Sequence, residues 1–401
     1  MATVRGGPAF PAGAEVARAA MVAGLARVGI RDGRVLEAMA RLPRERFVAG
    51  AHPLSAVYDL DRAIALGAGP APTSSISAPR VVATMLELLE LAPGMRVLEI
   101  GTGSGYHAAL LAELVGRDGL VASVEIDPGL ARAAASRLEL LGYGAVQLRE
   151  GDGYLGWPEL APFDRVVATV GCCDLAPAWV DQVGPAGSVL LPLQHGGWHP
   201  LTRIEPGGRC PVARVVARSG FVAIQGHQEA TAPWRARPLE QLPAAAGPGV
   251  PLPAGLARLL APEAGRERVG ARARWDLDYY VALEDPRATS LLVLDDGAST
   301  AWVEPRGDRV CWRGPSGEAL GDRLVAYARA WEALGCPPAA AYESEFHRRP
   351  APAAPPGERG GERHWVVERL DHRQVVTYRA PAKGTGEGDP GPAPEEGGAS
   401  P

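Results

Sequence analysis

Short apolar runs alternate with Ala/Leu-rich amphipathic stretches between residues 80 and 187, which predicts a parallel sheet with helices on both faces. Val97, Leu98 and Ile100 give one strand, with Glu99 near its end, and 120–127, 146–153 and 163–169 give three more. Upstream, 15–28 and 32–42 have helical periodicity. The second is capped by Asp32 and puts Val35, Leu36 and Met39 on one face. Residues 58–79, rich in Gly, Pro and Ser, read as irregular. A helix resumes over 80–91 and stops at Pro93-Gly94. Segments 188–194 and 214–225 read as later strands that close the sheet.

The pattern changes at 229. Residues 229–253 are rich in Pro, Ala and Gly and read as a linker. Short strands are then expected at 275–283, 290–294, 301–304 and 309–312, an amphipathic helix at 318–334 and a hairpin at 365–370 and 374–379. Residues 350–362 form another Pro/Gly stretch, and 381–401, without hydrophobic periodicity, are expected to be a disordered tail. The expected fold class is therefore α/β: a Rossmann-like doubly wound sheet in residues 1–228, a linker, a smaller C-terminal α+β domain at 254–380, and the tail.

The stretch 97–116 concentrates the chemistry. Gly101, Gly103 and Gly105 let backbone approach a ligand, and the helix that starts at Tyr106 presents free amide hydrogens to it. The dinucleotide fingerprint is G-x-G-x-x-G, whereas this loop is G-x-G-x-G preceded by Glu99. Glu125 stands at the tip of the next strand, where a carboxylate accepts both ribose hydroxyls of a nucleoside, NAD included. Asp152 lies just past the third strand, within reach of an adenine amino group. These features point to a nucleoside-type cofactor other than a dinucleotide.

Composition narrows the setting. The 401 residues are 46% hydrophobic and suffice for two or three domains. A net charge of −5 argues against a general nucleic-acid binder. Lys383 is the only lysine, so the abundance of arginine reflects base composition of the gene and not phosphate recognition. Five cysteines without a CxxC pair imply a reducing compartment, no disulfide framework and no zinc site. Residues 1–13 lack the apolar core of a signal peptide, and no run of about 18 apolar residues occurs, so a cytoplasmic protein without a membrane partner is expected.

Arg41-Leu-Pro-Arg-Glu-Arg-Phe-Val48, Tyr58-Asp59, Ser75-Ile-Ser-Ala-Pro79, the glycine loop, Glu125 and Gly151-Asp-Gly153 occur in that order. Over residues 15–227 this succession resembles the protein-L-isoaspartate (D-aspartate) O-methyltransferase family. The resemblance implies the class I S-adenosylmethionine-dependent methyltransferase fold, S-adenosylmethionine as cofactor, and a peptide or protein substrate bearing Asp or isoaspartate. It also implies site residues. Ser74, Ser75, Ile76 and Ser77 would line the gap between the sulfonium and the incoming carboxylate, with Ser77 as the active-site serine. Glu99, Gly101, Thr102, Gly103 and Gly105 would serve the methionine part, Glu125 and Ile126 the ribose, and Asp152 and Gly153 the adenine. Ser77 also suits a helix N-cap before Ala78-Pro79. A carboxylate is already ionised at pH 7, so methyl transfer needs alignment and removal of water rather than a general base.

The chain departs from the family at Thr73-Ser74-Ser75-Ile76-Ser77, where members commonly carry Gly-Gln-Thr-Ile-Ser, and in its long C-terminal extension. Such extensions resemble members that act in ribosomal-peptide biosynthesis, and the 254–380 domain is expected to recognise or enclose the peptide substrate. The leading expectation is therefore methylation of an Asp side chain in a cyclised peptide, leading to succinimide and isoaspartate. The alternative is repair of L-isoaspartyl residues in damaged proteins. A non-catalytic peptide-binding protein is the third reading, opposed by the intact glycine, Glu125 and Asp152 set. His195 and His199 have i,i+4 spacing, but Gly196-Gly197 between them argues against a metal-binding helix, and no metal is expected. Cys172-Cys173 read as buried small residues near the rim of the site, and Trp179 and Trp198 as core or cleft wall.

Overall fold

The computed structural model describes residues 13–48, 50–66, 74–197, 199–207, 210–222, 224–231, 248–260, 267–285, 287–289, 292–304, 308–349 and 362–380. The expected tail at 381–401, most of the linker, the 350–361 stretch, Thr73 and Trp198 lie outside the described residues.

The chain begins with α1 (Ala14–Arg27), α2 (Gly33–Arg41) and the short α3 (Leu54–Val57). Asp32 caps α2 as expected, its carboxylate accepting from the Arg34 and Val35 amides. Residues 58–79 are not wholly irregular: β1 (Ile64–Leu66) pairs antiparallel with β2 (Ser74–Ile76), which seats the serine segment before α4 (Pro79–Leu89). Three-residue strands, one Ile-Ala-Leu and the other Ser-Ser-Ile, carry too little alternation to be read in advance.

Then follow β3 (Arg96–Ile100), α5 (Tyr106–Val115), β4 (Leu120–Glu125), α6 (Pro128–Leu140), β5 (Gln147–Glu150), β6 (Phe163–Ala168), α7 (Pro177–Gln182) and β7 (Val183–Pro192). The parallel strands run in the order β7-β6-β3-β4-β5. Val97, Val167 and Leu190 face a core built with α1, α2, α4 and α5, while Leu98, Ile100, Val166 and Leu191 face another around buried Trp179. This alternation by twos is what a sheet covered on both faces requires.

Two antiparallel strands extend the sheet, β8 (Leu201–Glu205) and β9 (Val212–Ala217). The next elements form a smaller unit: β10 (Gly249–Pro251), α8 (Ala254–Leu260), α9 (Glu267–Glu284), β11 (Val293–Asp295), β12 (Thr300–Val303), β13 (Arg309–Arg313) and α10 (Gly317–Ala333). Its four strands make a separate antiparallel sheet, β10-β13-β12-β11. The strand expected at 275–283 is instead part of α9. Trp-Asp-Leu-Asp-Tyr mimics strand alternation, yet Asp276 and Asp278 are buried because their carboxylates accept from the Ala339 and Leu292 amides.

The last three strands return to the main sheet. β14 (Tyr342–Arg348) pairs with β9 through Val212–Glu345, and β16 (His372–Arg379) and β15 (Glu362–Glu368) continue outward, giving ten strands. The segments before and after residue 254 therefore share one sheet. A joint core places Val215, Tyr342 and Val376 against Leu256, Leu277 and Leu324. Among the described residues no helix is long and apolar enough to cross a membrane.

Candidate active site

The glycine loop leaves β3 with Gly101, Gly103 and Gly105 at φ of +94°, +55° and +85°. A Cβ at Gly101 would stand 2.9 Å from the Thr169 hydroxyl, so only glycine fits where the loop crosses the end of β6. The Gly103 amide donates to Glu125 Oε2 at 2.7 Å and the Asp127 amide to Oε1 at 3.0 Å. Each oxygen of this carboxylate, only 6% exposed, keeps acceptor capacity for a further hydroxyl. Burial raises the Glu125 pKa, and the two backbone donors only partly oppose it.

Asp152 caps the turn Gly153–Leu155, with Oδ1 accepting from the Tyr154 amide at 2.9 Å and Oδ2 from the His227 amide at 2.8 Å. Gly226, at φ +85°, makes the second bond sterically possible, because a Cβ there would stand 2.5 Å from Oδ2. Opposite lies the serine segment. Ser77 does not cap α4: Ala78 occupies the cap position, without a side-chain bond, and Pro79 opens the helix. The Ser77 hydroxyl carries no hydrogen bond among the described residues, while its carbonyl accepts from Arg44 Nη2 at 2.8 Å. Arg44 is fully buried, donates from Nε to Val57 O at 2.8 Å, and lies 5.1 Å from the Tyr106 ring centroid. It tethers the serine segment to the 41–48 motif, a role that the sequence marks by the motif but does not explain.

These groups line one open cleft of about 940 Å³, solvent included. Ser74 to Ser77, Gly101 to Gly103, Glu125, Ile126, Asp152 and Gly153 all border it. Two expected residues do not. Glu99 is fully buried behind the loop, where Oε1 lies 2.7 Å from His107 Nδ1 and Oε2 accepts from the Ser123 hydroxyl at 2.5 Å. It orients His107, which does line the cleft, rather than meeting a ligand itself. Gly105 faces away, toward Leu138 and Ala134 of α6. The sequence reading missed Met85, His107, Asp127, Thr169, Val222 and Ile224. Asp127 and Thr169 close runs read as strands; the others reach the cleft through packing that local pattern does not encode.

Among the described residues no lysine or arginine lines this cleft, whereas Glu125, Asp127 and Asp152 do. Such a wall suits a cationic nucleoside and disfavours a pyrophosphate. Elsewhere, His195 donates from Nε2 to Tyr279 O at 2.8 Å within the core, and burial pulls both His195 and His199 down to a pKa of about 4. Among the described residues no group of His, Cys, Asp and Glu is arranged to hold a metal. Cys172 and Cys173 are buried, and Trp179 is core, donating from Nε1 to Gly153 O at 2.8 Å.

A family model for protein-L-isoaspartate(D-aspartate) O-methyltransferase matches residues 16–229. A protein-L-isoaspartate O-methyltransferase of Anaeromyxobacter dehalogenans is 49% identical over 189 residues, 47% of this chain and 86% of its own. One of Myxococcus xanthus is 42% identical over 206 residues, 50% of this chain and 93% of its own. A solved structure titled protein-L-isoaspartate O-methyltransferase superposes with a TM-score of 0.52 at 23% identity, covering 82% of this chain and 96% of that one, a likeness of fold. With the family model spanning more than half of its length and an acid-lined, glycine-floored cleft in that span, the chain belongs to the protein-L-isoaspartate(D-aspartate) O-methyltransferase family, class I methyltransferases whose cofactor is S-adenosylmethionine.

Proposed function

We propose that this chain methylates the free carboxylate of L-isoaspartyl residues in peptides and proteins, as a repair enzyme does. The observation that carries this reading is the single cleft in which the Ser74–Ser77 segment faces the glycine loop, inside the family match. When bound, S-adenosylmethionine supplies an electrophilic methyl group on a sulfonium. In this reading Glu125 accepts the ribose hydroxyls, Asp152 accepts from the adenine amino group, and the amides of the glycine loop meet the methionine part. The Ser77 hydroxyl donates to one oxygen of the acceptor carboxylate, leaving the other free to attack in line. Val222, Ile224 and Met85 supply apolar wall that strips water from that carboxylate.

The expectation of peptide tailoring rested on the C-terminal extension. That ground is weakened, because a structure titled as an isoaspartate methyltransferase matches 82% of this chain, well beyond the catalytic region. The two readings separate on substrate. Purified enzyme should methylate a linear L-isoaspartyl peptide and leave its Asp counterpart untouched, as read by transfer of labelled methyl. Turnover of Asp in a cyclised peptide with none on the linear isoaspartyl peptide would reverse the conclusion.

A further inference from the structure

The C-terminal hairpin reaches Tyr154, the residue that follows Asp152 and Gly153 of the cleft wall. Residues 369–372 turn the chain from β15 into β16 and are locked onto the segments that follow β6 and β7. Arg369 donates from Nη1 to Cys173 O at 2.6 Å and from Nη2 to Gln194 O at 3.1 Å. The fully buried Asp174 carboxylate accepts from the Asp371 and His372 amides at 2.6 and 3.1 Å, and its other oxygen lies 3.2 Å from His372 Nδ1. So anchored, the turn presents Asp371 Oδ2 to the Tyr154 hydroxyl, which donates to it at 2.8 Å.

Tyr154 is one bond removed from the ligand-facing carboxylate. Its amide holds Asp152 Oδ1, and its ring lies 4.1 Å from that of His227, whose amide holds Oδ2. The loop carrying it has glycine at 151, 153 and 156, two of them at positive φ; Trp179 and Gln182 hold its Gly153 and Leu155 carbonyls, and Asp371 holds the Tyr154 side chain. Burial and the bond to Asp371 push the Tyr154 pKa up to about 12, which keeps the hydroxyl a donor at any working pH.

We infer that Asp371 is a positioning residue for the cofactor: by fixing Tyr154 it sets the Asp152 carboxylate, so the C-terminal hairpin completes the S-adenosylmethionine site of the family domain. This rests on the proposed role of Asp152 at the adenine end. It gives the extension a part in cofactor binding, whereas the sequence reading expected it to recognise or enclose the peptide.

The test uses the full chain with Asp371→Ala, Tyr154→Phe and the double variant. Asp152→Ala serves as reference. Arg348→Ala, which removes another contact of the C-terminal strands, to Asp181 and Pro177 O, serves as control. Binding of S-adenosylmethionine by calorimetry and steady-state kinetics on a linear isoaspartyl peptide are the readouts. Each single variant should raise Kd and KM for the cofactor about fivefold, and the double variant no further, with kcat and peptide KM within about twofold. Arg348→Ala should leave cofactor affinity unchanged. If Asp152→Ala weakens binding and neither Asp371→Ala nor Tyr154→Phe does, the inference is wrong while the site stands. Unchanged binding in Asp152→Ala removes the adenine assignment and the inference with it. A rise in peptide KM alone assigns the turn to the substrate and overturns the inference. Should Asp371→Ala fail to fold, Tyr154→Phe, which removes one oxygen atom, decides alone.

Discussion

Replacing Glu125 by glutamine separates ligand binding from folding at a single position. In the protein its carboxylate accepts from the Gly103 and Asp127 amides at 2.7 and 3.0 Å, so the glutamine oxygen can retain one of these bonds while its amide opposes the other. Burial already raises the Glu125 pKa, which means that the ionised form is held in the folded state at a cost. Relief of that cost offsets the lost acceptor, and the unliganded variant should lie within about 1 kcal/mol of wild type. Affinity has no such compensation. Hydrogen bonds to a charged acceptor are worth about 1.5–3 kcal/mol, so Kd for S-adenosylmethionine should rise roughly 10- to 150-fold. Calorimetric titration together with thermal melts with and without cofactor checks both halves: the melt of the free protein stays put and the ligand-induced shift collapses. Wild-type affinity in a folded Glu125→Gln protein would show that the carboxylate only clamps the loop to β4. The raised pKa adds a pH signature. Cofactor affinity should weaken on acidification at a higher pH than an ordinary carboxylate of 4.5 would give, and the variant should lose that dependence.

Ser77→Ala should lower kcat, since it removes a hydrogen bond to a charged carboxylate worth about 1.5–3 kcal/mol, and should leave cofactor affinity within about threefold; unchanged turnover would leave the serine a spacer. Arg44→Met should destabilise the fold by about 1–3 kcal/mol in urea unfolding, because the Val57 and Ser77 carbonyls lose their buried donor, and kcat should fall along with it as the serine segment loosens. His195, neutral in the core with a pKa near 4 against 6.5 unfolded, binds fewer protons folded than unfolded between those values, so stability falls as pH drops through that window. Urea unfolding should show about 1.6 kcal/mol of this loss from His195 between pH 6.5 and 5, with His199 contributing alike, and His195→Gln should roughly halve the slope.

Features that depend on short-range chemistry were legible in the sequence. The Asp32 cap, the glycine loop, Glu125 at a strand tip and Asp152 past the next strand each follow from a residue type in a local backbone setting. Glu99 was misjudged because its place at a strand end looks like that of Glu125, while Ser123 on β4 and His107 on α5 decide which way its carboxylate is used. The sequence also hid α9, whose buried aspartates imitate strand alternation, and β14, whose Tyr-Glu-Ser-Glu-Phe alternation has meaning only beside β9. In every such case the deciding partner stands on another element of the fold.

The ten-stranded sheet also imposes an order of events during synthesis. β9 is complete at Ala217, but the strand that covers its outer edge begins only at Tyr342. At about 5–20 residues per second the ribosome needs roughly 6–25 s to make the intervening chain. For that interval the nascent catalytic region carries a bare edge of unpaired amides and carbonyls, open to strands of other chains. The bulk of α8 to α10 emerges in the meantime, so the covering strands arrive attached to a unit that already has helices to pack. A gene shortened at the family boundary would make that transient edge permanent, and aggregation, rather than a clean loss of one function, is the outcome to expect from it.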